Sequence, residues 1–247
     1  MKKYLKCFGV CAMIFGLVFC YGSPVKATTF TIDLVDGDWA NAVNVNPTPD
    51  TPTTIVNSGP TGGTSTIRWG TPLGTNVSGY TFESRLTPFD VTSDGTAFAL
   101  GDFTHENWQI ANNNISSVDL LLALDSNLIF NISTSFHIIH NETPNIYSPV
   151  DNPLNNDIVT INNPIVNQLF TYGGNNYYFN LLGFSQDGGS TITTVFSTVE
   201  EQSNVASLFG KITEIPVDNP VPEPSTFFLL GSALVGLGIL GKKRLKK

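Results

Sequence analysis

From residue 28 to residue 215 the chain runs as short alternating segments cut by turn residues, with no amphipathic helix of useful length. This pattern limits the fold more than any other feature. Apolar side chains at every second position put one face of a strand into a core and leave the other in water. Such segments run Thr66–Trp69, Tyr80–Leu86, Ala97–Leu100, Ser117–Leu124, Leu128–Ile139, Asp157–Ile161, Tyr177–Phe184, Thr191–Val199 and Ala206–Ile215. TTFTIDLV at 28–35 alternates in the same way and reads as one half-buried strand. Turn clusters separate the segments: SDG at 93–95, TPN at 143–145 and QDGG at 186–189. Residues 41–66 and 140–168 are rich in Asn and Pro and read as loops. Many short strands joined by turns predict an all-β fold, a single β-sandwich or jelly-roll-like domain over 28–215.

The two ends are of another kind. Lys2, Lys3 and Lys6 precede the uncharged run from Cys7 to Tyr21, and Val25-Lys26-Ala27 offers a cleavage site. Residues 1–27 therefore read as a secretory signal peptide. Cys20 offers a competing lipidation site, but bulky Phe19 stands before it where a small residue is wanted. At the other end, Ser225 to Gly241 carries no charge and would span about 25 Å as a helix. Lys242, Lys243, Arg244, Lys246 and Lys247 follow, so residues 225–247 read as a transmembrane helix with a basic tail. Positive charge stays cytoplasmic, which places the domain outside the inner membrane.

Charge and cysteine usage narrow the chemistry of the middle. Cys7, Cys11 and Cys20 all lie in the signal segment, so the exported part has no disulfide, thiol nucleophile or cysteine metal site. Outside the signal segment and the tail, only Arg68, Arg85 and Lys211 stand against all 20 acidic residues, a balance of −17. A domain this acidic is not a nucleic-acid binder.

Residues 216–224 form an extended spacer, because Pro222 and Pro224 lock φ. The array of Val221, Pro222, Glu223 and Pro224, an apolar segment and a basic tail resembles the PEP-CTERM sorting signal. The resemblance implies processing by an exosortase after signal peptidase, in the envelope of an exopolysaccharide-making bacterium. These four residues would be recognised by an enzyme rather than act as one.

FALGDFTHENWQI at 98–110 is the densest motif inside the domain. Phe98 and Leu100 share a parity that Phe103 breaks, so a bulge or bend is expected at Gly101-Asp102. Beyond it His105 and Asn107 share a face with Phe103. Thr104, His105 and Asn107 resemble the signature of the Thr-His-x-Asn group of PEP-CTERM proteins. STIRWG at 65–70 and TVEEQSNVASLFGKIT at 198–213 are similar to that group and to choice-of-anchor K domains. The resemblance implies an extracellular β-sandwich and no assigned reaction. Three readings of the motif stay open: a hydrogen-bonded structural turn, a ligand or cation site, or catalysis.

Other sites are sparser. His137 and His140 are three apart in a strand-like run and point to opposite faces, so they do not share an ion. Calcium is possible on oxygen ligands of Asp36, Asp38 and Asp187, beside flexible glycines. Trp39, Trp69, Trp108, Tyr177 and Tyr178 are the aromatics available to a glycan. No catalytic triad, paired-carboxylate motif or nucleotide fingerprint is present. The sequence thus predicts a non-enzymatic surface or matrix protein without a required cofactor, acting with exopolysaccharide or in adhesion and biofilm. A secreted polysaccharide-active enzyme and a permanently membrane-anchored binding domain are the alternatives.

Overall fold

A computed structural model describes residues 27–45, 53–126, 129–162, 167–216 and 231–234. Among them the strands are β1 (Thr29–Ile32), β2 (Leu34–Asn44), β3 (Thr54–Val56), β4 (Thr64–Trp69), β5 (Ser78–Ser84), β6 (Phe89–Thr92), β7 (Asp94–Asn107), β8 (Ile115–Ser126), β9 (Phe130–Asn141), β10 (Asp157–Ile161), β11 (Gln168–Tyr172), β12 (Asn175–Ser185), β13 (Val195–Thr198) and β14 (Gln202–Glu214). One sheet has five strands in the order β13-β10-β9-β8-β2. The facing sheet has seven, β11-β12-β14-β7-β5-β4-β3, and β1 pairs with β6 as a separate ribbon. Every pairing is antiparallel. Two stacked antiparallel sheets make the sandwich that the alternating segments predict.

The core is the sum of the inward parities. Val118, Leu120, Leu122 and Leu124 of β8 and Phe98, Leu100 and Phe103 of β7 are all buried in one core. Each such side chain contributes about 1.5–3 kcal/mol by leaving water. Phe103 is a hub between the layers. Its ring lies 4.8 Å from Tyr80 and 5.1 Å from Phe184 in its own sheet, and 6.0 Å from Trp39 and 6.1 Å from Phe196 in the other. Phe30 of the small ribbon meets Phe130, Phe170 and Tyr177 edge-on at 5.1–5.8 Å in a second aromatic group.

Several elements depart from the sequence reading. TTFTIDLV is two strands in two different sheets, because the buried parity switches from Phe30 and Ile32 to Val35 at Asp33. Ala97–Leu100 is the middle of the much longer β7. The expected irregularity is there, one residue early: Leu208 pairs with Gly101 and Phe209 with Ala99, leaving Leu100 bulged. The stretch expected as loop at 41–66 holds the end of β2, all of β3 and the start of β4. Likewise 140–168 begins with the last two residues of β9 and contains β10 and a 3₁₀ turn at Pro153–Asn155. Thr191–Val199 shrinks to Val195–Thr198, with Thr193 only bridging Phe184. The strands β6 and β11 were not expected.

Candidate functional site

At one end of the sandwich the inward faces of both sheets turn polar. The strands concerned continue apolar rows, so the polar groups arrive in the core by parity alone. On β7, His105 and Asn107 follow Phe103. On β9, His140 follows Phe136 and Ile138. On β10, Asp157 precedes Val159 and Ile161. All of these residues are buried, His105 at 1% and Asp157 at 0% exposure. The Thr-His-x-Asn motif is therefore not a turn but the end of a strand, with His105 and Asn107 inward and Thr104 half-buried on the outer face. Its Asn107 does serve structure, donating Nδ2–H to the Thr198 carbonyl at 3.3 Å.

The cluster crosses the sandwich. His105 comes from the seven-stranded sheet and His140 from the five-stranded one. Their ring centroids are 5.2 Å apart at 90°, and Trp69 lies 6.0 Å from His105 and 5.3 Å from His140. The Thr198 hydroxyl donates to the Asp157 carbonyl at 3.3 Å and pairs with His105 Nδ1 at 2.8 Å. When the Thr198 hydroxyl donates to Asp157 it accepts from the ring, and in that tautomer His105 Nδ1 carries hydrogen and Nε2 a lone pair. That buried Nε2 has no hydrogen-bond partner among the described residues. Tyr80 Oη lies 2.5 Å from His140 Nδ1, and His140 Nε2 lies 3.1 Å from Glu142 Oε2 and 4.0 Å from Asp157 Oδ2.

Three carboxylates meet here. Asp157 Oδ1 accepts from the Thr143 backbone N–H at 2.7 Å, while Oδ2 has no partner. Glu200, in the turn between β13 and β14, is 3% exposed, and neither carboxylate oxygen has a well-formed hydrogen bond. Burial, then the Glu142 charge, pushes Asp157 up to about 9 and Glu200 up to about 7. Burial, then His140, holds His105 well below the usual imidazole range. Burial also raises the Tyr80 phenol. One donor atom each from His105, His140 and Asp157 falls within 4.8 Å of the others, and so do those of Glu142, Asp157 and Glu200. These are the described residues that could hold a metal ion.

Above the cluster the surface opens into a groove of about 420 Å³. Leu73 and Ile110 give it apolar wall, and Gln109, Asn112, Asn114 and Asn145 give it amides. Glu142 belongs to both the cluster and the groove. Asn114 Oδ1 and Asn145 Oδ1 are buried acceptors without a donor. A second cavity of about 310 Å³ shares Leu73 and Gln109 and adds Trp108 and Asn76. Asn155 pins the loop beneath, donating to the Tyr147 and Val150 carbonyls at 2.9 Å each.

The other expected site residues lie elsewhere. Asp36 and Asp38 of β2 accept from Ser58 and Ser65 at 2.9 Å each, and burial raises Asp36. Asp187 is exposed and caps its own turn, accepting from Ser185 and from the Thr191 N–H, which hold it down at about 2. None of the three joins a cluster of three or more metal-binding groups among the described residues. Trp39, Trp69 and Tyr177 are core; Trp108 and Tyr178 are half-buried. His137 points away from His140, as expected, and pairs with Asp119 at 2.8 Å. Sequence reasoning missed Tyr80, His140, Glu142, Asp157 and Glu200. For His140 and Asp157 the signal was available: each is a titratable residue in register with an apolar row.

One comparison bears on the chain's destination. A family model described as the PEP-CTERM protein-sorting motif matches residues 220–244. The chain carries a PEP-CTERM sorting motif. The motif contains Val221, Pro222, Glu223 and Pro224, and it indicates an exported protein processed by an exosortase at the cell envelope. Those four residues, all but the last residue of the expected signal peptide and most of the expected membrane helix fall outside the described residues. Within the sorting motif, residues 231–234 are helical. No helix among the described residues is long and apolar enough to cross a membrane. No curated protein matches the chain.

Proposed function

We propose that the sandwich is a non-catalytic binding module displayed at the cell surface, where it holds exopolysaccharide in adhesion or biofilm. The observation that carries this reading is the amide-lined groove. Gln109, Asn112, Asn114 and Asn145 line a groove with apolar patches at Leu73 and Ile110. Sugar hydroxyls hydrogen-bond to amides, and the apolar faces of a pyranose suit such patches. Trp108 extends the surface into the neighbouring cavity. The sealed position of His105 and Asp157 favours binding over catalysis, since a polymer cannot reach them. The sorting motif accounts for delivery, and the acidity of the exported part for solubility.

The test is binding of the exported protein to polysaccharide from the producing bacterium, followed by calorimetry. Wild type should bind, and Asn112→Ala with Trp108→Ala should weaken binding at least about tenfold while leaving the thermal transition in place. Equal binding by wild type and the double variant would remove the groove from the reading. Cleavage of the polymer by wild type would replace it with the enzymatic alternative.

A further inference from the structure

We propose that His105, His140 and Asp157 bind one divalent transition-metal ion of the zinc class, and that this ion ties the two sheets together. The proposal stands on geometry and is independent of the glycan reading.

Four observations point to a cation. First, His105 Nε2 is a ring nitrogen without a partner on a side chain only 1% exposed, and Asp157 Oδ2 is an oxygen without a partner on a side chain at 0%. Buried polar atoms are normally satisfied, so two within reach of each other need a common partner. Second, Asp157, Glu142 and Glu200 converge, and among the described residues none has a lysine or arginine within ion-pair distance. Convergent buried carboxylates without a cation are costly. Third, the spacing fits. Ligand atoms about 2.0–2.2 Å from a tetrahedral ion stand about 3.3–3.5 Å from each other. His140 Nε2 stands 4.0 Å from Asp157 Oδ2, and one ligand atom each of His105, His140 and Asp157 lies within 4.8 Å of the others, so a small inward movement brings the three to that value.

Fourth, the supporting shell is built. A metal-bound imidazole donates its other N–H to a fixed acceptor. His105 Nδ1 has the Thr198 hydroxyl at 2.8 Å, and His140 Nδ1 has Tyr80 Oη at 2.5 Å. Asp157 is oriented through Oδ1 by the Thr143 N–H. Two imidazoles with a carboxylate select a borderline ion such as zinc over calcium or magnesium, which take oxygen ligands. Glu142 lines the groove and gives the ion a way in.

The experiment is titration of the chelator-stripped exported protein with zinc, then with cobalt(II). Wild type should take up one ion per chain and unfold at a higher temperature. The cobalt form should show two strongly shifted, exchangeable imidazole N–H resonances in its proton spectrum, from His105 Nδ1 and His140 Nδ1. Asp157→Asn and His140→Ala should abolish uptake. Tyr80→Phe, which keeps all ligands, should weaken it about 10- to 100-fold. If the first two variants fail to fold, the cobalt spectrum of wild type decides alone. Absence of uptake by wild type, or uptake with no shifted imidazole resonance, overturns the proposal. So does binding of calcium in preference to zinc.

Discussion

His105 and His140 meet ring to ring at 90°, 5.2 Å apart, one from each sheet of the sandwich. The contact makes the two sheets' stacking a condition for the polar cluster to exist. A one-residue register slip of β7 or of β9 within its sheet would turn its histidine to solvent, since side chains alternate faces along a strand. Whatever perturbs the cluster is therefore read out in the stability of the whole domain.

Tyr80→Phe tests the support of His140. It leaves the ring in the core and removes only the hydroxyl that pairs with Nδ1. A buried ring nitrogen without its partner costs about 1–3 kcal/mol. Denaturant unfolding of the chelator-treated protein should show that loss with an unchanged m-value.

Phe103→Ala tests the hub. Its ring touches Tyr80, Phe184, Trp39 and Phe196 across both layers. Surroundings supplied by two sheets cannot collapse around the gap, so the expected loss is about 3–5 kcal/mol. Thermal unfolding measures it.

Gly183→Ala tests a backbone demand. Gly183 has φ +140 and sits at the bulge where β12 changes register against β14. A Cβ there would stand 2.2 Å from the Thr193 carbonyl oxygen. Strain and steric overlap together should cost at least about 2 kcal/mol. Equal stability to wild type in denaturant would show that the Phe184–Thr193 bridge moves freely.

The buried acids set a pH dependence in the metal-free protein. Folded, Asp157 titrates at about 9 and Glu200 at about 7, against ordinary values of 3.8 and 4.5. Between those limits the native state holds protons that the unfolded chain has released. The stabilising contribution is complete below about pH 4 and is lost as pH rises through 7 and then 9. His105 runs the other way: its lowered imidazole makes acid below its ordinary 6.5 destabilising. Stability should therefore fall from about pH 6 to pH 9, by at most about 1.4 kcal/mol per pH unit for each group. Asp157→Asn should flatten the alkaline part of that fall in thermal scans across pH.

The sorting motif predicts the mass of the native protein. A chain recovered from the envelope or medium should end near Pro222 to Ser225, in or beside the matched segment. Intact mass spectrometry reads the terminus directly, and a mass that retains Ser225 to Lys247 would mean permanent anchoring.

Much of this was written locally in the chain. Alternation of side chains determined most of the strands and their buried faces, though not β3, β6 or β11. It also determined the irregularity next to Gly101, the common face of Phe103, His105 and Asn107, and the opposed faces of His137 and His140. The sorting motif at 220–244 is likewise a linear signal, readable without any fold. What only the tertiary structure decided is which faces meet. TTFTIDLV divides between two sheets because pairing partners far along the chain compete for its two halves. Glu200 sits in a turn that looks like surface and Asp157 at the very start of a short strand, and it is the packing of the two sheets that takes water from them. His105 and His140 each look like a lone histidine on an apolar row. They become one cluster because a sandwich core is made by non-local packing of two sheets, and no spacing within a single strand records the partner across the gap.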